Sequence, residues 1–387
     1  MTHIKTLLLC FGLLLALTDR APAQVPIPAA PDLAATSFVL QDFHSGEIIA
    51  SRDPGMRVEP ASITKLMTSY VVFRELANGN LSLDEQVRIS EKAWRTEGSR
   101  MFVEVDTEVS VEDLLKGVII QSGNDASVAL AEHVAGSEAV FAQMMNAEAQ
   151  RLGMTGTHYE NATGLPSEAH YTTAADVATL SRALIAEFPE YYGWYSQADF
   201  TYNDIRQPNR NLLLRRDSSV DGLKTGHTEA AGYCLATSAV REGMRLISVV
   251  MGTASENARA EASQSLLNYG FRFFETFKLY SAGEELTRAE VWKGRVDDMA
   301  LGVASDVYVT VPRGRQDRLG AELVVPSRPV APFEVGQTFG SLQITFDGEI
   351  EHEQSLVVQT DVPQAGWWGR TTDGIGMWFG GLFGGDD

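Results

Sequence analysis

A serine and a lysine three residues apart could supply a nucleophile and its base. Ser62 and Lys65 belong to the segment Ser62-Ile63-Thr64-Lys65, and residues at this spacing share one face of a helix. A serine hydroxyl becomes an effective nucleophile when a neighbouring base takes its proton. A lysine amine can be that base if burial or nearby positive charge lowers its pKa. Alone the motif is weak evidence, because a solvated lysine on an amphipathic helix gives the same spacing by chance.

Two further motifs follow at wide spacing. Ser122-Gly123-Asn124 precedes a predicted helix over residues 125–134, and Lys224-Thr225-Gly226, followed by His227, is predicted to end a strand. Each has an ordinary structural explanation, since Ser and Asn cap helices and many strands end at a turn. The ordered set S-x-x-K, S-x-N and K-T-G is nevertheless the signature of penicillin-binding proteins and serine β-lactamases.

The residues around these motifs narrow the family. Residues 60–68 (PASITKLMT), 122–132 (SGNDASVALAE) and 221–228 (DGLKTGHT) closely resemble the low-molecular-mass D-alanyl-D-alanine carboxypeptidases. The resemblance extends over residues 30 to about 360 and implies a β-lactamase/transpeptidase-like α+β fold. It also implies removal of the terminal D-alanine from peptidoglycan pentapeptides through an acyl-enzyme, with β-lactam antibiotics as covalent inhibitors.

The resemblance also implies a role for each motif residue. Ser62 attacks, Lys65 takes its proton, and Ser122 relays a proton to the leaving amine. The remaining residues are implied to bind substrate: Asn124 through the amide, Lys224 and Thr225 through the terminal carboxylate, Gly226 within the K-T-G motif, His227 by its backbone N–H with that of Ser62 in an oxyanion hole, and Arg210 near the carboxylate. No metal or other cofactor is implied.

One loop departs from the better-known members of the family. Asn161-Ala162-Thr163 precedes Gly164 where some relatives carry a histidine thought to assist deacylation. Two alternatives remain open: Thr163 with an ordered water takes over that task, or Lys65 and Ser122 suffice.

The elements that must position these residues can be read from the pattern. Strands are predicted at residues 37–42 and 47–51, joined as a hairpin, and again at 222–226, 233–240 and 244–251. A helix is predicted from Pro60 to about Asn78, several more over 111–188, and another over 258–277. This order predicts an antiparallel sheet whose first strands come from the N-terminus, with a helical region inserted between them.

Both ends of the chain differ from the rest. Residues 1–23 have the basic start, apolar run and Ala21-Pro22-Ala23 site of a signal peptide, which predicts an exported, periplasmic protein. Residues 24–281 are predicted to be the catalytic domain and residues 282–361 a small all-β domain. The last segment, 362–387, contains many Trp, Phe and Gly residues and is predicted to be an amphipathic anchor on the outer face of the inner membrane; a flexible tail packed on the β-domain is the alternative.

Composition excludes some classes of protein. The 387 residues carry a net charge of −20, and loss of the leader's net charge of +1 leaves −21. Such acidity argues against nucleic-acid binding. The histidines show no zinc-peptidase spacing, and Cys234, the one cysteine after the leader, is predicted to be a buried, inert thiol.

Three other functions compete with the carboxypeptidase reading. A β-lactamase would share the nucleophile, but no E-x-x-L-N sequence lies between Asn124 and Lys224. A D,D-endopeptidase would share the whole motif set, and the sequence separates it poorly. A non-catalytic wall-binding scaffold would be indicated by degraded motifs, and all three are intact.

Overall fold

The computed structural model describes residues 27–366, which form a larger domain of helices and an antiparallel sheet followed by an all-β domain. The predicted signal peptide and most of the predicted anchor lie outside the described residues. Among residues 27–366, no helix has the length and apolar character needed to cross a membrane.

The strands are named here in chain order. They are β1 (Ser37–Asp42), β2 (Ile48–Arg52), β3 (Gln86–Arg88), β4 (Glu108–Ser110), β5 (Asp199–Tyr202), β6 (Ile205–Pro208), β7 (Val220–Thr228), β8 (Gly232–Arg241), β9 (Met244–Thr253), β10 (Phe274–Tyr280), β11 (Glu285–Glu290), β12 (Asp298–Val303), β13 (Val307–Pro312), β14 (Leu319–Val324), β15 (Thr338–Phe346) and β16 (Glu349–Val358).

The α-helices are α1 (Lys65–Ala77), α2 (Glu91–Arg95), α3 (Val111–Lys116), α4 (Asn124–Ala135), α5 (Glu138–Arg151), α6 (Ala174–Glu187), α7 (Pro189–Tyr192), α8 (Leu213–Arg216) and α9 (Glu256–Phe273). Shorter helical turns are 3-10 at Ala61–Thr64, Gly193–Ser196 and Gln316–Arg318, and π-helical at Gly117–Gln121.

The main sheet has the strand order β2-β1-β9-β8-β7, and every pairing in it is antiparallel. The predicted N-terminal hairpin is confirmed, and β1 pairs with β9 from the far end of the domain. Strand β7, which carries the K-T-G motif, has a sheet neighbour on one side only. Among residues 27–366, no strand pairs with its other edge.

Alternating apolar residues let the sheet build a core on both faces. Val39 and Val249 belong to the cluster shared with the inserted helices. Leu40 and Val250, one residue further along each strand, belong to the cluster shared with α9. This period of two is what a sheet with two covered faces requires. Helix α9 covers one face and the inserted helical region the other, which fixes the position of α1 beneath the site.

The predicted helix over residues 258–277 is wrong at its C-terminal end. Helix α9 ends at Phe273, and Phe274 begins β10. Strand β10 pairs with β13 in register from Phe274–Pro312 onward. Residues 274–280 follow the helix without a Gly or Pro break, and pairing with β13 in the all-β domain holds them extended.

The all-β domain is built on a second antiparallel sheet of order β11-β12-β16-β15-β14. The predicted limits at 281/282 and 361/362 stay predictions, but contacts extend beyond both. Besides the β10–β13 pair, Val362 is fully buried and bridges Phe333, and the N–H of Ala365 donates to the carbonyl of Lys293.

Candidate active site

The structure brings Ser62 and Lys65 together as the sequence predicts. Ser62 lies in the 3-10 turn Ala61–Thr64, and Lys65 is the first residue of α1. Their Oγ and Nζ atoms are 3.0 Å apart. The lysine side chain is almost fully buried, with 1% exposure. A buried amine thus contacts a serine hydroxyl that faces the site pocket.

Two acceptors fix the orientation of the Lys65 amine. Nζ donates to Oδ1 of Asn124 at 2.7 Å and to the carbonyl of Thr163 at 2.6 Å. A carbonyl or amide oxygen can only accept, so these contacts occupy two N–H groups of the amine. When the amine is neutral, its lone pair is left for the third direction, which is Ser62. The geometry therefore suits proton transfer from Oγ to Nζ.

The surroundings also bring the lysine into a useful titration range. Burial is the largest effect and the positive charge of Arg210 the second, and together they lower the pKa of Lys65 to about 7. Asp125 opposes the shift, but its carboxylate also accepts backbone N–H groups of Met101 and Phe102. An amine with a pKa near 7 is partly neutral at neutral pH and can act as a general base.

Ser122 lies in the wall of the same pocket. It is buried, and within residues 27–366 its Oγ makes no hydrogen bond. It follows the π-helical turn Gly117–Gln121 with φ of +68°. A non-glycine residue rarely adopts this conformation, which costs of order 1–3 kcal/mol. Buried hydroxyl groups normally have a hydrogen-bond partner. The strained backbone and unpaired hydroxyl of Ser122 in the pocket wall therefore suit a group that bonds to substrate.

The K-T-G motif lies inside β7 and does not end it, which corrects the prediction. The strand continues to Thr228 because His227 and Thr228 pair with Tyr233 and Gly232 of β8. Lys224 is 2% exposed. Burial, followed by the positive charge of Lys65, lowers its pKa well below the usual range.

Close packing joins β7 and the nucleophile turn. A Cβ on Gly226 would lie 3.0 Å from the carbonyl of Pro60, so any larger residue would push the strand away from the turn. On the opposite side, a Cβ on Gly164 would lie 1.8 Å from the carbonyl of Ala61. Glycine at both positions therefore keeps the walls of the cleft close enough for groups from different elements to reach one substrate.

In the loop before Gly164, the backbone carbonyl of Thr163 contacts Lys65, whereas the sequence pointed to its side chain. The Oγ1 of Thr163 donates to Asn161 at 2.9 Å, while its backbone oxygen contacts Lys65. Further along, His170 is buried and its Nδ1 accepts the N–H of Glu160, so Nε2 carries the proton toward Oγ1 of Thr64, 2.9 Å away. Sequence reasoning missed this histidine, which ties the loop to the nucleophile turn.

Two arginines line the same pocket. Arg210 is one of them. Arg259 of α9 was missed; it is 3% exposed and donates to the carbonyl of Gly226 at 3.1 Å, with Tyr233 beneath its guanidinium. Arg259 lies far from the motifs in sequence, so no motif indicates that it belongs to the site. The full lining is Ser62, Gly98, Ser99, Ser122, Asn124, Thr163, Gly164, Leu165, Arg210, Thr225, Gly226, His227, Thr228, Tyr233, Glu256 and Arg259.

This arrangement of side chains defines a class of site. A serine at the start of a helix, a buried lysine with lowered pKa beside it, and two arginines in the pocket wall together make a serine acyl-transfer site suited to a substrate with a carboxylate. Cys234 is buried next to it, and burial raises its pKa to about 11, so the prediction of a buried thiol is confirmed.

Comparison with known proteins agrees with a serine acyl-transfer site. The D-alanyl-D-alanine carboxypeptidase family model matches residues 24–255, and the model described as penicillin-binding protein 5, C-terminal domain, matches residues 274–364. D-alanyl-D-alanine carboxypeptidase DacA of Escherichia coli (strain K12) is 40% identical over 374 residues, covering 95% of this chain and 93% of that protein.

Solved structures show the same likeness. Penicillin binding protein 5 from Haemophilus influenzae superposes with a TM-score of 0.84 at 41% identity, covering 87% of this chain and all (100%) of that one. Penicillin-Binding Protein D2 from Listeria monocytogenes, in its ampicillin-bound form, is 30% identical with a TM-score of 0.58 and covers 62% of this chain and 100% of that one.

The chain therefore belongs to the D-alanyl-D-alanine carboxypeptidase family, the low-molecular-mass penicillin-binding proteins. It is a serine-type carboxypeptidase that acts on peptidoglycan stem peptides and binds penicillins, and the predicted α+β fold with a second all-β domain is confirmed.

Proposed function

We propose that Ser62 and Lys65 carry out the cleavage. Lys65 takes the proton of Ser62, whose Oγ attacks the carbonyl carbon between the two terminal D-alanines. The C–N bond breaks, the leaving amine gains a proton, and free D-alanine departs. Water then attacks the ester on Ser62, the serine regains its proton, and the shortened peptide is released. The observation that carries this assignment is the Lys65 amine, held by two acceptors and aimed at Ser62.

The other predicted residues fit supporting roles. Ser122, whose hydroxyl makes no hydrogen bond among residues 27–366, relays the proton to the leaving amine. Asn124 holds Lys65 through Oδ1, while its Nδ2 donates to the carbonyl of Glu97 at 2.6 Å. The backbone N–H groups of Ser62 and His227 stabilise the oxyanion.

The terminal carboxylate is bound at the far side of the cleft. Lys224 supplies positive charge, and Thr225, the next residue, supplies a hydroxyl. Gly226 lets the strand lie close to the nucleophile turn. Arg210 adds a second positive charge from the pocket wall. A carboxylate bound beside the Lys224 amine would favour its charged form, because an opposite charge offsets the burial that lowers its pKa.

Deacylation is assigned to Lys65 with Ser122. Of the two alternatives, Thr163 is less suited, because its hydroxyl donates within its own loop and accepts from the N–H of Leu165 at 3.2 Å. Glu160, the glutamate nearest to Thr163 in sequence, accepts hydrogen bonds from Ser167 and from the N–H of Ala169. It is therefore occupied in the loop, which disfavours fast β-lactam hydrolysis of the β-lactamase type.

Release of D-alanine from a synthetic pentapeptide, followed by chromatography, tests the proposal. The native enzyme should release one D-alanine per peptide. Ser62→Ala should lose the activity by orders of magnitude, while Ser327→Ala, an exposed serine of the all-β domain, should behave like the native enzyme. Release of monomers from cross-linked dimers at a higher kcat/KM would instead make the endopeptidase the main activity, and fast penicillin turnover without D-alanine release a β-lactamase.

We also propose that the enzyme works in the periplasm, held to the inner membrane by its C-terminal tail. Residues 367–387 contain Trp and Phe residues suited to the membrane interface, but also many glycines and a single basic residue, Arg370. Attachment would therefore be mainly hydrophobic and nearly independent of salt. The buried side chain of Val362 places the start of any removable tail after Gly366.

A further inference from the structure

The turn that carries the nucleophile, Ala61–Thr64, has a strained backbone. Ala61, which directly precedes Ser62, has φ of +47°, a conformation that residues with a side chain rarely adopt. Strain of this kind persists where the surrounding structure holds the backbone in place. The contacts that hold this turn therefore also decide where the Ser62 hydroxyl lies relative to Lys65.

A buried histidine outside the three motifs makes one of these contacts. Nε2 of His170 lies 2.9 Å from Oγ1 of Thr64, the last residue of the turn. Nδ1 of the same ring accepts the N–H of Glu160 at 3.1 Å, so Nε2 carries the proton and donates it to Thr64. Burial is the main cause that lowers the pKa of His170 to about 4. The ring is therefore neutral at neutral pH and keeps one acceptor and one donor.

The histidine also closes the loop that contacts the base. The loop runs from Glu160 to His170, and the hydrogen bond between these two residues joins its ends. From within the loop, the carbonyl of Thr163 accepts a hydrogen bond from Lys65 at 2.6 Å. A single side chain thus connects the turn that carries Ser62 with the loop that supplies one of the two acceptors of the Lys65 amine.

We propose that His170 is a positioning residue for acylation. Its Nε2–H holds Thr64, and the turn held in this way keeps the Ser62 hydroxyl within reach of the Lys65 amine. His170 acts through Thr64 and transfers no proton itself. The inference rests on the proposed function, because it takes Ser62 as the nucleophile and Lys65 as its base.

Three substitutions separate the two hydrogen bonds of the ring. His170→Ala removes both, His170→Asn can accept at the position of Nδ1 but is too short to reach Thr64, and His170→Gln can donate from the position of Nε2. The second-order rate constant for acylation by a fluorescent penicillin should fall about 10- to 100-fold in His170→Ala, because small misplacements of reacting groups have effects of this size. His170→Gln should recover most of the lost rate, and His170→Asn should not.

A double-mutant cycle with Thr64→Val tests whether the histidine acts through Thr64. Valine is similar to threonine in shape but lacks the hydroxyl that accepts the bond. If both residues act through this one hydrogen bond, adding Thr64→Val to His170→Ala should lower the acylation rate no further than His170→Ala alone does. Losses that multiply in the double variant would overturn the proposal.

Asn146→Ala is the matched control for a general loss of stability. Asn146 of α5 holds Tyr159, the residue before the loop, through two hydrogen bonds of 2.8 Å, so this variant also loses two hydrogen bonds but leaves Thr64 held. Its resistance to urea should fall as in His170→Ala, while its acylation rate should stay near the native one.

The outcomes separate the positioning role from the proposed function. Equal losses of acylation in His170→Ala and Asn146→Ala would reduce the histidine to a structural role and overturn the inference. If His170→Ala does not fold, the other two variants decide, and a His170→Gln enzyme that is acylated no faster than His170→Asn would overturn it as well. A native enzyme that forms no penicillin adduct on Ser62 would instead overturn the proposed function.

Discussion

The pKa of Lys65 predicts how acylation should depend on pH. The neutral amine is the reactive form, and the pKa is about 7. The sign follows directly: the neutral fraction rises with pH, reaches half at the pKa and levels off above it. It amounts to about 1% at pH 5 and about 90% at pH 8. The acylation rate should therefore climb close to tenfold per pH unit between 5 and 6 and be nearly constant above 8.

Stopped-flow mixing with a fluorescent penicillin measures this step without relying on deacylation. The second-order rate constant of acylation should be recorded from pH 5 to 9, where the carboxylate of the penicillin stays ionised. Arg210→Gln removes the positive charge that, after burial, contributes most to the lowered pKa. Its profile should bend at a higher pH than that of the native enzyme, in addition to any loss of rate.

Two results would refute this reasoning. A rate that does not change between pH 5 and 9 would show that proton transfer to a group with a pKa near 7 does not control acylation. A rate that still rises close to tenfold per pH unit at pH 9, as for an amine with the ordinary lysine pKa of about 10.4, would show that burial leaves the amine charged. If Arg210→Gln bends at the native pH, then Arg210 does not contribute to the shift.

Three further predictions follow from single contacts. Lys65→Arg keeps the charge but cannot lose a proton, so acylation by penicillin should fall more than about 100-fold; an acylation rate near the native one would leave the lysine an electrostatic role only. Gly164→Ala should lower the free energy of unfolding in urea by about 3 kcal/mol or more, because its Cβ meets the carbonyl of Ala61, whereas Gly153→Ala, with a similar positive φ and open space around it, should cost about 1 kcal/mol; equal losses would remove the clash from the account. Truncation after Gly366 should move the protein from the membrane to the soluble fraction with activity on small peptides unchanged, and a full-length protein that does not bind liposomes at low salt would contradict the anchor.

The local sequence pattern was sufficient to predict the helices and strands in which apolar residues recur with a single period. The hairpin of β1 and β2, the helix that begins after Pro60 and the strands β8 and β9 all show clear alternation or helical spacing, and the structure contains them. The motif residues were also found, since their chemistry depends on residue type and order. The structure places Ser62, Lys65 and Asn124 within hydrogen-bond distance.

The errors arose where tertiary contacts decide. Phe274 continues a helix without a break, and only the distant strand β13 makes it extended. The strand bearing K-T-G looked complete at Gly226, yet pairing with β8 carries it to Thr228. The carbonyl of Thr163 has no side-chain signature, and Arg259 lies 35 positions beyond Lys224 in a helix that the motifs do not reach. Such contacts depend on how the chain packs, which spacing alone does not encode.

The identity of the acylated residue tests the central claim most directly. The native enzyme should be mixed with ampicillin, quenched in acid, digested and analysed by mass spectrometry. The account predicts one ampicillin added per protein, located on Ser62, and no adduct on the Ser62→Ala variant. An adduct on another serine, or an unchanged adduct on Ser62→Ala, would contradict the assignment of Ser62 and Lys65 as nucleophile and base.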